Sequence, residues 1–172
     1  LNEYLTDMTD IILKYGGTVD KFEGDAIIAF FGAPVPFEDH AKRACLVSIE
    51  MQQRLTELRE KWSHEKHWPK PVHNMKVRIG LNTGPMVVGN MGSRTRMDYT
   101  MMGDSVNLAS RLEGANKQYG TYSMISEFTY EAAKSFIEVR ELDMIRVVGR
   151  SKPVRVYELL CKKGELPEKE RA

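Results

Sequence analysis

The apolar residues change their spacing abruptly at Gly16-Gly17, and that switch does most to limit what this chain can fold into. Before it, Leu1, Tyr4, Leu5, Met8, Ile11, Ile12 and Tyr15 recur at the three- and four-residue intervals of one helix face. The glycine pair then stops the helix. After it, Thr18 to Phe22 and Ala26 to Phe31 form two short apolar runs around Glu23-Gly24-Asp25, which predicts a hairpin. No capping residue precedes Leu1, so the sequence reads as starting inside a helix, with something missing upstream.

The two periods keep alternating along the chain. A long helix is expected from about Glu38 to His64, with Ala41, Ala44, Cys45, Ser48, Met51, Leu55, Leu58 and Trp62 on one face. His64 to Asn74, with Pro69 and Pro71, reads as a surface connection. Met75 to Asn82 alternates like a strand, Met86 to Gly89 reads as a second, and Asn90 to Arg96 reads as a loop. Gly103 to Tyr119 predicts a helix capped by Asp104 or Ser105, its stripe formed by Val106, Leu108, Ala109, Leu112 and Ala115. A strand at Tyr122 to Ile125, a short helix at Ser126 to Lys134, and strands at Phe136 to Asp143, Met144 to Val148 and Val154 to Leu160 complete the pattern. Helices alternating with adjacent strand pairs imply an α+β sandwich, one sheet flanked by helices. Residues 1–162 are expected to be one domain, and 163–172 a charged tail.

A net charge of +1 gives no general grip on nucleic acid, and no apolar run approaches the roughly 18 residues of a membrane span. The domain itself is expected to be cytoplasmic, or at the cytoplasmic face of a membrane if a sensor or membrane module lies upstream. Cys45 and Cys161 are expected to be reduced, buried thiols. His40, His64, His67 and His73 lack the spacing of a metal site and are expected at the surface. Trp62 and Trp68 are expected to cover core edges, and most of the ten methionines to fill the core.

A few polar residues stand out against this background. Asp25, at the turn exit, is either a solvated carboxylate or a ligand for a hard cation such as Mg²⁺. Lys21 is either an exposed strand lysine or a donor to a ring nitrogen. Asn107 and Arg111 lie four residues apart, so they share a helix face and converge on one site or on solvent.

Four segments carry a resemblance. They are GTVDKFEGD at Gly17 to Asp25, the AIIAFFGAP that follows, VRIGLNTGPMVVGNMGS at Val77 to Ser93, and YTMMGDSVNLASRLE at Tyr99 to Glu113. In this order they resemble the catalytic domain of class III nucleotidyl cyclases, over nearly the whole chain. The resemblance implies a ferredoxin-like βαβ core, here lacking the first strand and helix. It implies conversion of ATP to 3′,5′-cyclic AMP and pyrophosphate, with two Mg²⁺ or Mn²⁺ ions in the complete domain. Asp25 matches the second of two metal-binding aspartates. Lys21 and Thr100 match the base-reading pair, and Asn107 and Arg111 the pair that orients ribose and stabilises the pentavalent phosphorus. Arg150, ahead of Lys152, matches the basic residue that meets the triphosphate. A homodimer with shared active sites is implied, with Gly89 to Gly92 in a flexible arm near that interface.

The first metal aspartate and its Phe-rich phosphate turn have no counterpart here, so this stretch alone is expected to be inactive or nearly so. A catalytically silent cyclase-like dimerisation or regulatory domain is the alternative. The diguanylate cyclase turn GG[DE]EF is absent, the hairpin reading FEGDA instead. Base choice follows from donors and acceptors. A lysine at 21 donates to adenine N1, and a threonine hydroxyl at 100 accepts from the N6 amine, whereas guanine presents the reverse pattern. An unpaired buried polar group costs about 1–3 kcal/mol, so the pair selects ATP over GTP. The lysine/threonine combination resembles a bacterial-type subgroup that includes bicarbonate-responsive members.

Overall fold

Helix α1, Asn2–Lys14, ends where Gly16 N–H donates to the Leu13 carbonyl (3.0 Å) and Gly17 N–H to that of Ile12 (2.9 Å). The computed structural model describes residues 1–65 and 69–168; His67, Trp68 and the last residues of the expected tail lie outside them. The hairpin follows as β1, Thr18–Glu23, and β2, Ala26–Phe30. Helix α2, His40–His64, lies across α1, and Tyr4, Met8, Ile11 and Ile12 pack against Val47, Met51, Leu55, Leu58 and Trp62. Each such side chain, fully buried, stabilises by about 1.5–3 kcal/mol. The buried stripe of α2 is wider than its spacing predicted. Val47 joins this cluster, while Ala41, Cys45 and Ile49 join a second one with Ile125, Ala133, Ile137 and Leu159. The helix is wedged between two cores.

A 3₁₀ turn at Lys70–Asn74 leads to β3, Ile79–Leu81. The strand expected over Met75 to Asn82 is thus cut to its second half. The side-chain amide of Gln52 on α2 donates to the Val77 carbonyl (3.1 Å), taking an acceptor that a ladder would otherwise use. Next come β4, Val87–Ser93, and β5, Arg96–Met102, paired antiparallel in unbroken register. The expected loop at Asn90 to Arg96 is therefore mostly strand, and Gly89 to Gly92 lie in β4. Helix α3, Asp104–Tyr119, β6, Ser123–Ser126, and α4, Glu127–Ala133, follow. Ser126 caps α4 by accepting from Thr129 N–H.

The chain closes with β7, Ile137–Ile145, and β8, Val154–Lys162. Two strands were expected before β8. The structure has one, with its register shifted between Glu141 and Asp143, so the irregularity is a bulge and not a break. Four strands form one mixed sheet in the order β3-β6-β8-β7, with β3 and β6 parallel and the other pairs antiparallel. Helices flank it, as an α+β fold requires. The two hairpins, β1-β2 and β4-β5, make no ladder bonds to this sheet. Between β2 and β3 runs an open cavity of about 540 Å³, bordered by Ala26 to Ala29 on one side and Val77 to Leu81 on the other.

The thiols form no disulfide; Cys45 is buried and Cys161 only half-buried. His64 is exposed, but His40 and His73 are partly buried, contrary to expectation. Met8, Met51 and Met124 are buried, whereas Met97, Met102 and Met144 are exposed, so methionine fills less of the core than expected. Among the described residues no helix is long and apolar enough to cross a membrane.

Candidate active site

The first hairpin carries an irregularity where the chemistry is expected. Register runs Val19 to Ala29, then Lys21 to Ile28, leaving Asp20 as an extra residue in β1. A bulge of this kind re-aims side chains that would otherwise alternate between faces. Here Asp20 turns inward, with only 3% of its side chain exposed, and Lys21 stays half in solvent at 49%. The Thr100 hydroxyl on β5 donates to Asp20 Oδ2 at 2.7 Å, and Lys21 Nζ stands 4.0 Å from the same oxygen. Lys21 and Thr100, 79 positions apart in sequence, are thus joined through one carboxylate. The rings of Phe30 and Tyr99 meet with centroids 5.8 Å apart, which holds β2 against β5. Sequence reasoning missed Asp20 altogether. A bulge depends on the partner strand, and the only local signal was a carboxylate next to the expected base-reading lysine.

From Thr100 the chain runs two residues further, turns at Gly103 and enters α3. Gly103 has φ +134°, a conformation side-chain-bearing residues avoid, and it occupies the N-cap with no side-chain hydrogen bond. Neither Asp104 nor Ser105 caps the helix, contrary to expectation. Asp104 instead pairs with the Arg150 guanidinium (2.8 Å), and Ser105 is buried. The helix start is pinned from behind: Asn82 donates to the Ser105 carbonyl (2.9 Å), and Ser126 Oγ donates to Asn82 Oδ1 (2.7 Å). Leu108, Leu112 and Ala115 face the core. Asn107 and Arg111, one turn apart, are exposed on a neighbouring face, and no carboxylate among the described residues pairs with Arg111. The Arg111 charge reaches Tyr119, whose phenol is nevertheless raised above its ordinary range because it donates to Asp143 (2.7 Å).

Arg150 lies on the segment between β7 and β8. Besides its pair with Asp104, its guanidinium sits 5.5 Å from the centre of the Phe128 ring. That places it at the start of α3, the helix carrying Asn107 and Arg111.

Asp25 lies elsewhere. It is exposed at the hairpin tip and lines the cavity beside β2 together with Glu23, Val106, Ser110 and Glu113. Asn107, Arg111, Lys21 and Thr100 do not line that cavity. Among the described residues no lysine or arginine pairs with Asp25, and no group of three metal-ligating side chains gathers anywhere. A free carboxylate fits Mg²⁺ or Mn²⁺, which commonly take one or two protein carboxylates and complete their shells with water and phosphate. One chain therefore brings together Lys21 and Thr100, the expected base-reading pair, carries Asn107 and Arg111 on the helix that follows, and adds Arg150 at the start of that helix. Asp25 remains apart.

A model of the adenylate and guanylate cyclase catalytic domain matches residues 1–160 of this chain. Adenylate cyclase 1 of Rhizobium meliloti (strain 1021) is 35% identical over 160 residues, which are 93% of this chain and 23% of that protein. The chain thus spans about a quarter of that relative's length. The crystal structure of the adenylyl cyclase CyaB from P. aeruginosa matches with a TM-score of 0.82 at 39% identity, covering 96% of this chain and 83% of that one. The crystal structure of the guanylyl cyclase Cya2 matches with the same TM-score at 35% identity, covering 96% and 80%. Likeness alone leaves the purine open.

Proposed function

The chain belongs to the adenylate and guanylate cyclase catalytic domain family, and from that premise we propose that it converts ATP to 3′,5′-cyclic AMP and pyrophosphate. The single observation that carries ATP over GTP is the cluster of Lys21, Asp20 and Thr100. An ammonium has donors only and suits adenine N1; the threonine oxygen can accept from the N6 amine. Guanine offers a protonated N1 and an O6 acceptor, which leaves both contacts mismatched.

The reaction joins the ribose 3′-oxygen to the α-phosphorus and releases pyrophosphate. Negative charge grows on the equatorial phosphate oxygens, and the Arg111 guanidinium, with no carboxylate partner among the described residues, is suited to meet it. Asn107, one turn earlier, would hold the ribose. Arg150 would meet the triphosphate, since its partly exposed pair with Asp104 is of a kind worth about 1 kcal/mol or less and yields readily to a polyanion. Asp25 would hold Mg²⁺ or Mn²⁺, and a bound divalent ion would supply charge neutralisation at the phosphates and activation of the 3′-hydroxyl.

Asp25 faces a different region from Asn107 and Arg111, which supports a site shared by two copies, Asp25 from one and Lys21, Thr100, Asn107, Arg111 and Arg150 from its partner. The open cavity supports a further reading. Among the described residues β2 pairs only with β1, and β3 only with β6, so each has an unpaired edge, and consecutive residues of both border the gap. A further strand bringing the first metal aspartate would fit there, and without it this stretch is expected to have little or no activity.

The test compares this chain with a form extended upstream, each assayed with ATP and GTP in Mg²⁺ and Mn²⁺. The expected result is cyclic AMP from the extended form, with GTP turned over at least tenfold less efficiently, the discrimination two mismatched hydrogen bonds supply. Equal use of the two nucleotides would sink the assignment of the base. No cyclic product from the extended form would favour a silent regulatory domain.

A further inference from the structure

We propose that Asp20 is a positioning residue that fixes the direction of the Thr100 hydroxyl and so makes position 100 an acceptor-only contact for the base. The inference rests on the reading of Lys21 and Thr100 as the base-reading pair, and deepens it. A threonine hydroxyl has one proton and two lone pairs, so alone it is ambivalent: it accepts from an amine or donates to a carbonyl by rotating. Adenine and guanine differ at position 6 in this way, amine against carbonyl. A free threonine there would discriminate weakly.

Asp20 removes the ambivalence. An ionised carboxylate only accepts, so the 2.7 Å contact commits the single Thr100 proton to Asp20 Oδ2. Such charge-assisted bonds are stronger than neutral ones, so turning the hydroxyl toward a guanine O6 means giving up the better partner. With 3% of its side chain exposed, Asp20 is also shielded from water that could replace the threonine. What remains on Thr100 is lone pairs, which attract the N6 amine and repel O6. The same carboxylate oxygen lies 4.0 Å from Lys21 Nζ and biases that ammonium toward the same edge of the base. The bulge in β1 produces this, because Asp20 is the extra residue between Val19 and Lys21.

The test is displacement of a fluorescent ATP analogue by ATP and by GTP from the intact protein, for the wild type, Asp20→Asn, Thr100→Val and the double variant. An asparagine amide either accepts from or donates to Thr100, so the hydroxyl is no longer committed. Asp20→Asn is expected to lower the ATP-over-GTP affinity ratio about tenfold, the scale of one hydrogen bond. In the Thr100→Val background the same change should leave the ratio within about twofold, because its effect passes through Thr100. A merely structural role would weaken both nucleotides alike and leave the ratio unmoved, overturning the proposal. If Thr100→Val shifts the ratio and Asp20→Asn does not, Asp20 has no such role while the base reading stands. If neither shifts it, the base reading falls too. Should Asp20→Asn not fold, Asp20→Ser serves in its place with the same expected ratios.

Discussion

Arg111 and Arg150 carry the same charge under different constraints. Arg150 is paired with Asp104 and rests over Phe128, whereas Arg111 is exposed on α3 with no carboxylate partner among the described residues. An unpaired guanidinium beside Asn107 supports little in the folded chain, so its removal should leave stability nearly untouched. In the form extended upstream, Arg111→Ala is expected to lower kcat for ATP by about 10²- to 10³-fold, the usual effect of losing one donor to developing charge. The melting temperature should stay within the small change typical of a surface substitution. Arg111→Lys should recover only part of the rate, since an ammonium keeps the charge and loses the planar fork. Initial rates beside thermal melts check this; a lower melting temperature with unchanged kcat would make Arg111 a structural residue.

At the scale of elements, α3 matters most, because it carries Asn107 and Arg111 and is held at both ends. Near its C-terminus the fully buried Asn116 donates to the Ile79 carbonyl of β3 (2.9 Å) and accepts from the Thr121 hydroxyl (2.8 Å). Between the ends, β3 touches the helix backbone directly at Gly80. A Cβ there would lie 2.3 Å from Glu113 N and 2.4 Å from the Ala109 carbonyl oxygen, and neither is a side chain that can swing aside. Gly80→Ala should therefore push α3 off the sheet. The expected cost is about 3 kcal/mol, at the upper end of ordinary overpacking. It should appear as a lower denaturation midpoint, together with a reduced cyclase rate in the form extended upstream; an unchanged midpoint would refute the contact.

The same elements show what a reader of the sequence could see. The three longer helices were legible because each repeats a strong apolar period, and their ends fell within a residue or two of the expected ones. The β4-β5 ladder was not, since Gly89, Asn90, Gly92 and Ser93 carry no strand pattern and the pairing is made by backbone alone. The first half of the β3 strand was expected, but there the Val77 carbonyl accepts instead from Gln52, 25 positions away in sequence. Of the candidate site, the shared helix face of Asn107 and Arg111 was legible in their spacing, while the expectation for Lys21 and Thr100 rested on the resemblance. Asp20 stayed hidden because its bulge exists only in relation to β2.

For the whole molecule, the two cores packed against α2 make folding sensitive to alkali. Burial, with the nearby Asp25 charge adding to it, pushes the Tyr4 phenol up to about 12, and burial alone pushes the Cys45 thiol up to about 12. Their ordinary values are 10.0 and 9.0. Above those values the unfolded chain releases protons that the folded chain retains, so the stability these groups contribute is intact below about pH 9 and declines as pH climbs through 12. Melting temperatures taken from pH 8 upward should be level at first and then fall; a level curve to pH 11.5 would contradict the burial of both groups. Cys45 should also resist alkylation at neutral pH until the protein unfolds.

The gap between β2 and β3 has one more consequence. Rows of amides and carbonyls left without neighbours are sticky toward any extended peptide, a second molecule's included. Preparations of this stretch by itself should clump as they are concentrated, and a short peptide of strand-forming sequence laid into the gap should keep them dispersed.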